Sequence, residues 1–245
     1  MLATVVRTAG STPRKGAARM LVDERGGVLG TIGGGRLEKQ VADACVKLLA
    51  DGAGARPTLL RYHLTRELGM CCGGEVEVFC EPMSPEPPLI VCGAGHLARA
   101  LVPLARSVGF SPIIVDEAPE EGDEFATQER FPDAAHLVDT FDPARCPVPL
   151  DERAWLIIVT RDHVTDQKLL ERVIGCDLAY LGMIGSQRKI EMFKQRLVGK
   201  GVDEERFARL HAPIGLAIGA QTPEEIAVAI VGELIQVRAE KRGGR

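Results

Sequence analysis

The segment PLIVCGAGHLA, Pro88 to Ala98, limits the possible folds more than any other part of the chain. An unbroken apolar run, Leu89 to Cys92, enters a glycine turn, and Gly93, Gly95 and Ala98 stand in G-x-G-x-x-A spacing where a helical pattern begins with His96. A run without alternation reads as a strand buried on both faces. Glycines between such a strand and a helix let backbone approach a pyrophosphate, whose charge sits at the positive N-terminus of the helix. The next apolar run, SPIIVDE, reaches Asp116 twenty-three positions after Gly93, where an acid can bond a ribose hydroxyl. The same turn also serves scaffolds that bind no nucleotide, because a fold does not settle its ligand.

Strand and helix patterns alternate from there onward. AHLVD and AWLIIVT read as strands, followed by a helix after Asp166, the strand LAYLGMIG, a helix after Ser186, and a last helix from about Thr222 to Lys241 that opens on Thr222-Pro223-Glu224-Glu225. Such alternation predicts a parallel sheet covered by helices. Upstream, PMSPEPP places four prolines in seven residues, which forbids helix and disfavours sheet. The expected class is therefore α/β: a small N-terminal α+β domain over residues 1–82, a proline-rich linker over 83–88, and a Rossmann-like domain over 89–245. In the first domain, strands are expected at Leu2 to Arg7, Arg19 to Val22 and Val28 to Thr31. Leu37, Val41, Ala44, Cys45, Leu48 and Leu49 then recur at helical spacing, and TLLRYHL and EVEVFCEP read as two more strands.

Three further glycine or polar loops could bind an anion or move a proton. In LGMIGSQRK, Gly185 and Ser186 precede Arg188 and Lys189 at a helix start, which offers free amides and two cations; capping alone explains Gly185 and Ser186 equally well. In TIGGGRLE, Gly33, Gly34 and Gly35 allow close approach and Arg36 adds charge, or the glycines simply make a tight connection. In VTRDHVTD, Thr160, Arg161, Asp162 and His163 follow an apolar strand and fall at the crevice where doubly wound sheets bind ligands. There His163 and Asp162 could act as acid or base, or Asp162 and Thr165 could cap the next helix.

The chain of 245 residues has seven cysteines. Cys45 and Cys80 fall on apolar faces and read as small buried hydrophobes. Cys71 and Cys72, in MCCGGEVEVFCEP, are adjacent, too close for the C-x-x-C geometry of structural zinc, with only His63 nearby as a further ligand. In that loop a thiolate could be exposed and lie near a bound anionic ligand or a metal. A formal net charge of -4, with Lys and Arg dispersed, gives no footprint for nucleic acid. No secretory signal pattern and no spanning apolar run is visible, so the expected location is the cytoplasm, with no membrane partner.

Taken together, ATVVRTAGSTPRKGAARMLV, GTIGGGRLE, MCCGGEVEVFCEP, VCGAGHLARAL, TRDH, YLGMIGSQRK and APIGLAIGAQTPEEIAVAI resemble the XdhC/CoxI family, the xanthine dehydrogenase accessory proteins. The resemblance runs in order from Ala3 to about Ile230. It implies a chaperone that binds the molybdenum cofactor, as molybdopterin or its dinucleotide form, while a cysteine desulfurase installs a sulfido ligand, and that then passes the cofactor to the apo-subunit of a molybdenum hydroxylase. It also implies a homodimer. On this resemblance Cys71 or Cys72 would contact molybdenum or take part in sulfur transfer, and Gly93, Gly95, His96 and Asp116 would hold a nucleotide or pterin phosphate. Arg14, Arg36, Arg188 and Lys189 would be candidates for phosphate contact. After Asp116 the chain reads Glu117-Ala118 where relatives are expected to carry an arginine. The cysteines do not make an iron–sulfur pattern of the kind that the catalytic part of a dehydrogenase needs. Two other readings compete: an NAD(P)-dependent oxidoreductase with His163 and Asp162 as its proton-transfer pair, and a non-catalytic module that only recruits partners.

Overall fold

A computed structural model of the chain describes residues 1–10, 16–50, 55–64, 74–83, 85–117, 126–142 and 145–241. The chain divides into two compact units, one holding Met1–Pro85 and the other Glu86–Ala239.

In the first unit, strands β1 (Leu2–Ala9), β2 (Arg19–Val22), β3 (Val28–Gly30), β4 (Thr58–His63) and β5 (Glu75–Glu81) form an antiparallel sheet in the order β3-β2-β1-β5-β4. Helix α1 (Gly35–Ala50) packs against the sheet, and Met1, Ile32 and Leu64 complete the core. The alternation in β5 sends Val76, Val78 and Cys80 inward, where Ala3, Val5 and Met20 of the neighbouring strands meet Leu37, Val41 and Cys45 of α1. Both cysteines are fully buried, with their sulfur atoms 3.7 Å apart.

The second unit is built on five parallel strands: β6 (Pro88–Cys92), β7 (Ser111–Val115), β8 (His136–Val138), β9 (Trp155–Ile158) and β10 (Tyr180–Met183), in the order β10-β9-β6-β7-β8. Around it lie α2 (His96–Ser107), α3 (His163–Val173), α4 (Gln187–Gly199), a short α5 (Glu204–Ala208) and α6 (Pro223–Lys241). Because side chains alternate along a strand, Leu89 and Val91 face one layer and Ile90 and Cys92 the other. The first layer is closed by Ala98, Leu101 and Ala105 of α2 with Ala227, Ile230 and Leu234 of α6. The second is closed by Leu169, Leu170 and Val173 of α3 with Ile190, Phe193 and Leu197 of α4. Two buried faces explain why these strands read as continuous apolar runs.

The chain leaves the central β6 for β7 and β8 on one side, then returns to place β9 and β10 on the other. The order therefore reverses between β6 and β9, and a doubly wound sheet opens its ligand crevice beyond the carboxyl ends of those strands. Two local features differ from the sequence reading. Helix α3 starts at His163, with Asp166 buried in its first turn, because Asp162 caps it; the helix does not wait until after Asp166. The five-residue α5 is too short to show a period, and the sequence pattern does not announce it. No described helix is long and apolar enough to cross a membrane.

Candidate functional site

The crevice is shaped first by backbone. Gly93 has φ +119°, and a Cβ there would lie 2.5 Å from the Val159 carbonyl oxygen, so only glycine lets the loop after β6 rest on the end of β9. The sheet continues one residue further at this point, with the Val159 amide donating to the Cys92 carbonyl at 2.9 Å. Gly95 then takes the extended N-cap geometry of α2, φ -75° and ψ -171°, without any side-chain cap bond. The first turn of α2 accordingly presents amides that no N-cap side chain takes. They border a cavity of about 250 Å³ whose other walls include Asp116, Thr160, Arg161 and Ile184.

The charged groups of this cavity face one another. Asp116 Oδ2 accepts the Ala94 amide at 2.8 Å. Burial raises the Asp116 carboxyl above its ordinary range, partly offset by that amide and by the Arg161 guanidinium. Arg161 therefore supplies a cation at a crevice where Glu117-Ala118 offers none, and it comes from the loop after β9, far from Asp116 in sequence.

Beneath the cavity lies a buried network. The Thr160 hydroxyl donates to Asp166 Oδ1 at 2.6 Å, and Lys189 Nζ donates to Asp166 Oδ2 at 2.5 Å and to the Ile184 carbonyl at 2.9 Å. Asp166 is 2% exposed and Lys189 8%. The pair ties the loop after β9 to the loop after β10 from below. Lys189, expected to meet a phosphate, thus has its ammonium engaged inside the protein. A Cβ on Gly185 would lie 2.8 Å from Lys189 Cδ, so that glycine makes room for the lysine stem. Ser186 Oγ accepts the Lys189 amide at 3.3 Å and caps α4, while Arg188 stays exposed on its first turn.

Asp162 is likewise a cap: its carboxylate accepts the amides of Val164 and Thr165, both at 2.9 Å, and the Thr165 hydroxyl at 2.7 Å. Those bonds, led by the Thr165 amide, hold its carboxyl below the ordinary range. A carboxylate committed in this way is a poor proton acceptor, and His163 beside it is an exposed first residue of α3.

The triple glycine of the first unit has its own internal anion. Glu38 Oε1 accepts the Thr31 hydroxyl and the amides of Ile32 at 3.0 Å, Gly33 at 3.3 Å and Gly34 at 2.7 Å. Gly33, Gly34 and Gly35 all have positive φ, which turns the loop amides toward that carboxylate. Burial would raise the Glu38 carboxyl, but the bonds from Thr31, Gly34, Ile32 and Gly33 outweigh it and lower it. Arg36 is exposed on the first turn of α1. Arg14, Cys71 and Cys72 lie outside the described residues. Among the described residues, no three His, Cys, Asp or Glu side chains gather as metal ligands.

Asp166 is the functional-looking residue that the sequence reading passes over. A signal exists: Asp166, Leu169, Leu170 and Val173 share one helical stripe, as do Lys189, Phe193 and Leu197, so each apolar stripe carries one charge of opposite sign.

Comparison with known proteins fits this architecture. Residues 89–234 match the XdhC Rossmann domain, and residues 1–63 match the XdhC and CoxI family. The chain belongs to the XdhC/CoxI family. Escherichia coli K12 YqeB is 35% identical over 247 residues, 99% of this chain and 44% of that protein. A Bacillus subtilis 168 protein, named as a probable subunit of xanthine dehydrogenase, is 32% identical over 162 residues, 66% of this chain and 46% of that one. The chain thus spans less than half the length of these two relatives. The molybdenum cofactor insertion chaperone PaoD of Escherichia coli K12 is 23% identical over 268 residues, covering 97% of this chain and 83% of PaoD. A crystal structure described as a xanthine dehydrogenase from Bacillus halodurans shares the fold, with TM-score 0.54, 24% identity, and coverage of 98% of this chain and 91% of that one.

Proposed function

We propose that this XdhC/CoxI protein carries the molybdenum cofactor as cargo. It holds the finished pterin cofactor, shelters it while a cysteine desulfurase replaces an oxo ligand with a terminal sulfido, and passes it to the apo-subunit of a molybdenum hydroxylase. The observation that carries this reading is the crevice at the β6–β9 switch point, where the amides of α2, Arg161 and Asp116 surround a cavity suited to the phosphate end of a cofactor. Support comes also from PaoD, a relative named for insertion of that cofactor. In this reading the adjacent thiols of Cys71 and Cys72 meet the molybdenum or relay sulfur, since soft thiolates suit that metal. Residues 1–82 and 89–245 act as two modules joined by the proline-rich 83–88, in the cytoplasm. Val228 and Ile235, exposed on α6, favour a homodimer.

The test is anaerobic purification from a host that makes the cofactor, followed by metal analysis and fluorescence of the oxidised pterin. Wild type is compared with a Cys71→Ser, Cys72→Ser variant. Near-stoichiometric molybdenum and pterin in the wild type, with molybdenum lost from the variant, is the expected result. Retention of NAD(H) and no pterin would overturn the reading in favour of the NAD(P)-dependent oxidoreductase.

A further inference from the structure

A larger cavity adjoins the crevice. It encloses about 480 Å³ between α2, the loop before β8 and the first turn of α6, and His96 lines both it and the crevice. Its walls combine an apolar floor with charges of both signs. Val102 and Phe131, each 1% exposed, supply the floor. Arg99 and Arg130 contribute guanidinium groups, the latter 5.9 Å from the centre of the Phe131 ring, while Asp133 and Glu224 contribute carboxylates. Pro103, inside α2, has no N–H to give the Arg99 carbonyl one turn earlier. Both residues line the cavity, so an acceptor without its helical donor stands on that wall.

A simple anion here meets two carboxylates, and a simple cation meets two guanidinium groups. The ligand that suits such a rim is neutral and flat, with apolar faces and an edge of adjacent donors and acceptors. A 2-amino-4-oxopyrimidine ring, as in pterin and guanine, has this edge: amino and ring N–H groups for a carboxylate, beside an oxo group for a guanidinium.

From this cavity, and resting on the cofactor reading above, we infer that the space between Arg99, Arg130, Asp133 and Glu224 seats the pterin ring. The 2-amino and N3 hydrogens donate to a carboxylate, the 4-oxo group accepts from a guanidinium, and the ring covers the apolar floor. From His96 to Pro103 α2 rises roughly 10 Å, the span of a fused three-ring pterin with its side chain, so a ring seated here reaches the crevice with its phosphate end.

Pterin and guanine share the recognised edge, so the test separates them. The full chain is titrated calorimetrically with 6-hydroxymethylpterin, with 6-hydroxymethyllumazine, in which an oxo group replaces the 2-amino group, and with guanosine. The expected result is that the pterin binds roughly tenfold or more tightly than the lumazine, because an oxo group turned toward a carboxylate leaves two acceptors unpaired. The double variant Asp133→Asn, Glu224→Gln should reduce that preference to about threefold or less, since an amide can turn its N–H2 toward the oxo group. Both positions are exposed, so circular dichroism melts should match those of the wild type. Ala100→Trp fills the cavity from α2 and should abolish pterin binding. Guanosine binding as tightly as the pterin overturns the assignment and gives the site to a guanine base. Equal affinity for pterin and lumazine, or binding of neither, also overturns it. Anaerobic purification judges the two readings separately. Pterin retained by the wild type and lost from Ala100→Trp supports both. Pterin retained equally by the two refutes this seat and leaves the cofactor reading in place, whereas pterin absent from both removes the cofactor reading as well.

Discussion

Replacing Lys189 with methionine isolates the buried pair under the crevice. Met keeps most of the stem beside Gly185 but removes the ammonium that donates to Asp166 at 2.5 Å and to the Ile184 carbonyl at 2.9 Å. Asp166, 2% exposed, then keeps only the Thr160 hydroxyl at 2.6 Å for a full negative charge. Stranding one member of a buried pair typically costs about 3–5 kcal/mol. For a domain of this size that lowers Tm by about 6–20 °C, at roughly 2–4 °C per kcal/mol. The chain has a single tryptophan, and Trp155 sits in β9 of the second unit, so urea unfolding followed by its fluorescence reads this unit directly. The double variant Asp166→Leu, Lys189→Met removes both charges and should recover more than half of the loss, since apolar replacements of buried pairs are often near neutral. A cost for Lys189→Met below about 1 kcal/mol would refute the argument, because a pair held this closely out of water cannot lose one charge at so small a penalty.

Glu38→Gln should cost the first unit about 2 kcal/mol by weakening the bonds to Thr31 and the glycine-loop amides. The lowered Glu38 carboxyl contributes stability above its ordinary value of 4.5 and loses it as pH falls through the lower folded value. The gap between wild type and variant, measured by circular dichroism melts, should therefore be constant near neutrality and close in acid. Gly95→Asp should stabilise α2 by a few tenths of a kcal/mol, roughly the margin of a capping carboxylate over glycine, because the N-cap geometry accepts one. The same change should reduce retained pterin, since that carboxylate takes the amides a phosphate would use, and thermal melts and pterin fluorescence must move in opposite directions. Cys45 and Cys80, fully buried, should resist thiol reagents until the first unit unfolds, as mass spectrometry of labelled peptides would show.

Much of this architecture is legible because burial on two sides and burial on one side leave different patterns in a sequence. Leu89 to Cys92 and Trp155 to Ile158 are apolar throughout because helices cover both faces, whereas β5 alternates because its partners in the core lie on one face only. The site is less legible because a polar residue's partner is a matter of tertiary structure. Lys189 beside Ser186 looks like an anion ligand until Asp166, from another helix, comes within bonding distance. Gly33 to Gly35 look like a phosphate cradle until Glu38 turns back on them. Arg161 and Asp116 are separated in sequence by β8 and β9, and only the crossing of the chain at the switch point sets them on one cavity.

The fate of each helix start narrows where an anionic ligand could be held. Asp162 caps α3, Ser186 caps α4, Asp203 caps α5, and Thr222 with Glu225 forms a reciprocal box at α6. Glu38 fills the loop that leads into α1. An incoming phosphate at any of these would have to displace a bonded side-chain acceptor, at the cost of breaking charge-assisted or capping bonds already made. Among the described helices of the second unit, α2 alone has an N-cap residue with no side chain to offer, and the space in front of it is a cavity with a guanidinium on its wall. On the cofactor reading proposed above, a phosphate arriving at α2 meets no N-cap side chain that it would have to displace. The Asp166–Lys189 pair, through the Thr160 hydroxyl and the Ile184 carbonyl, fixes the two loops that border this cavity.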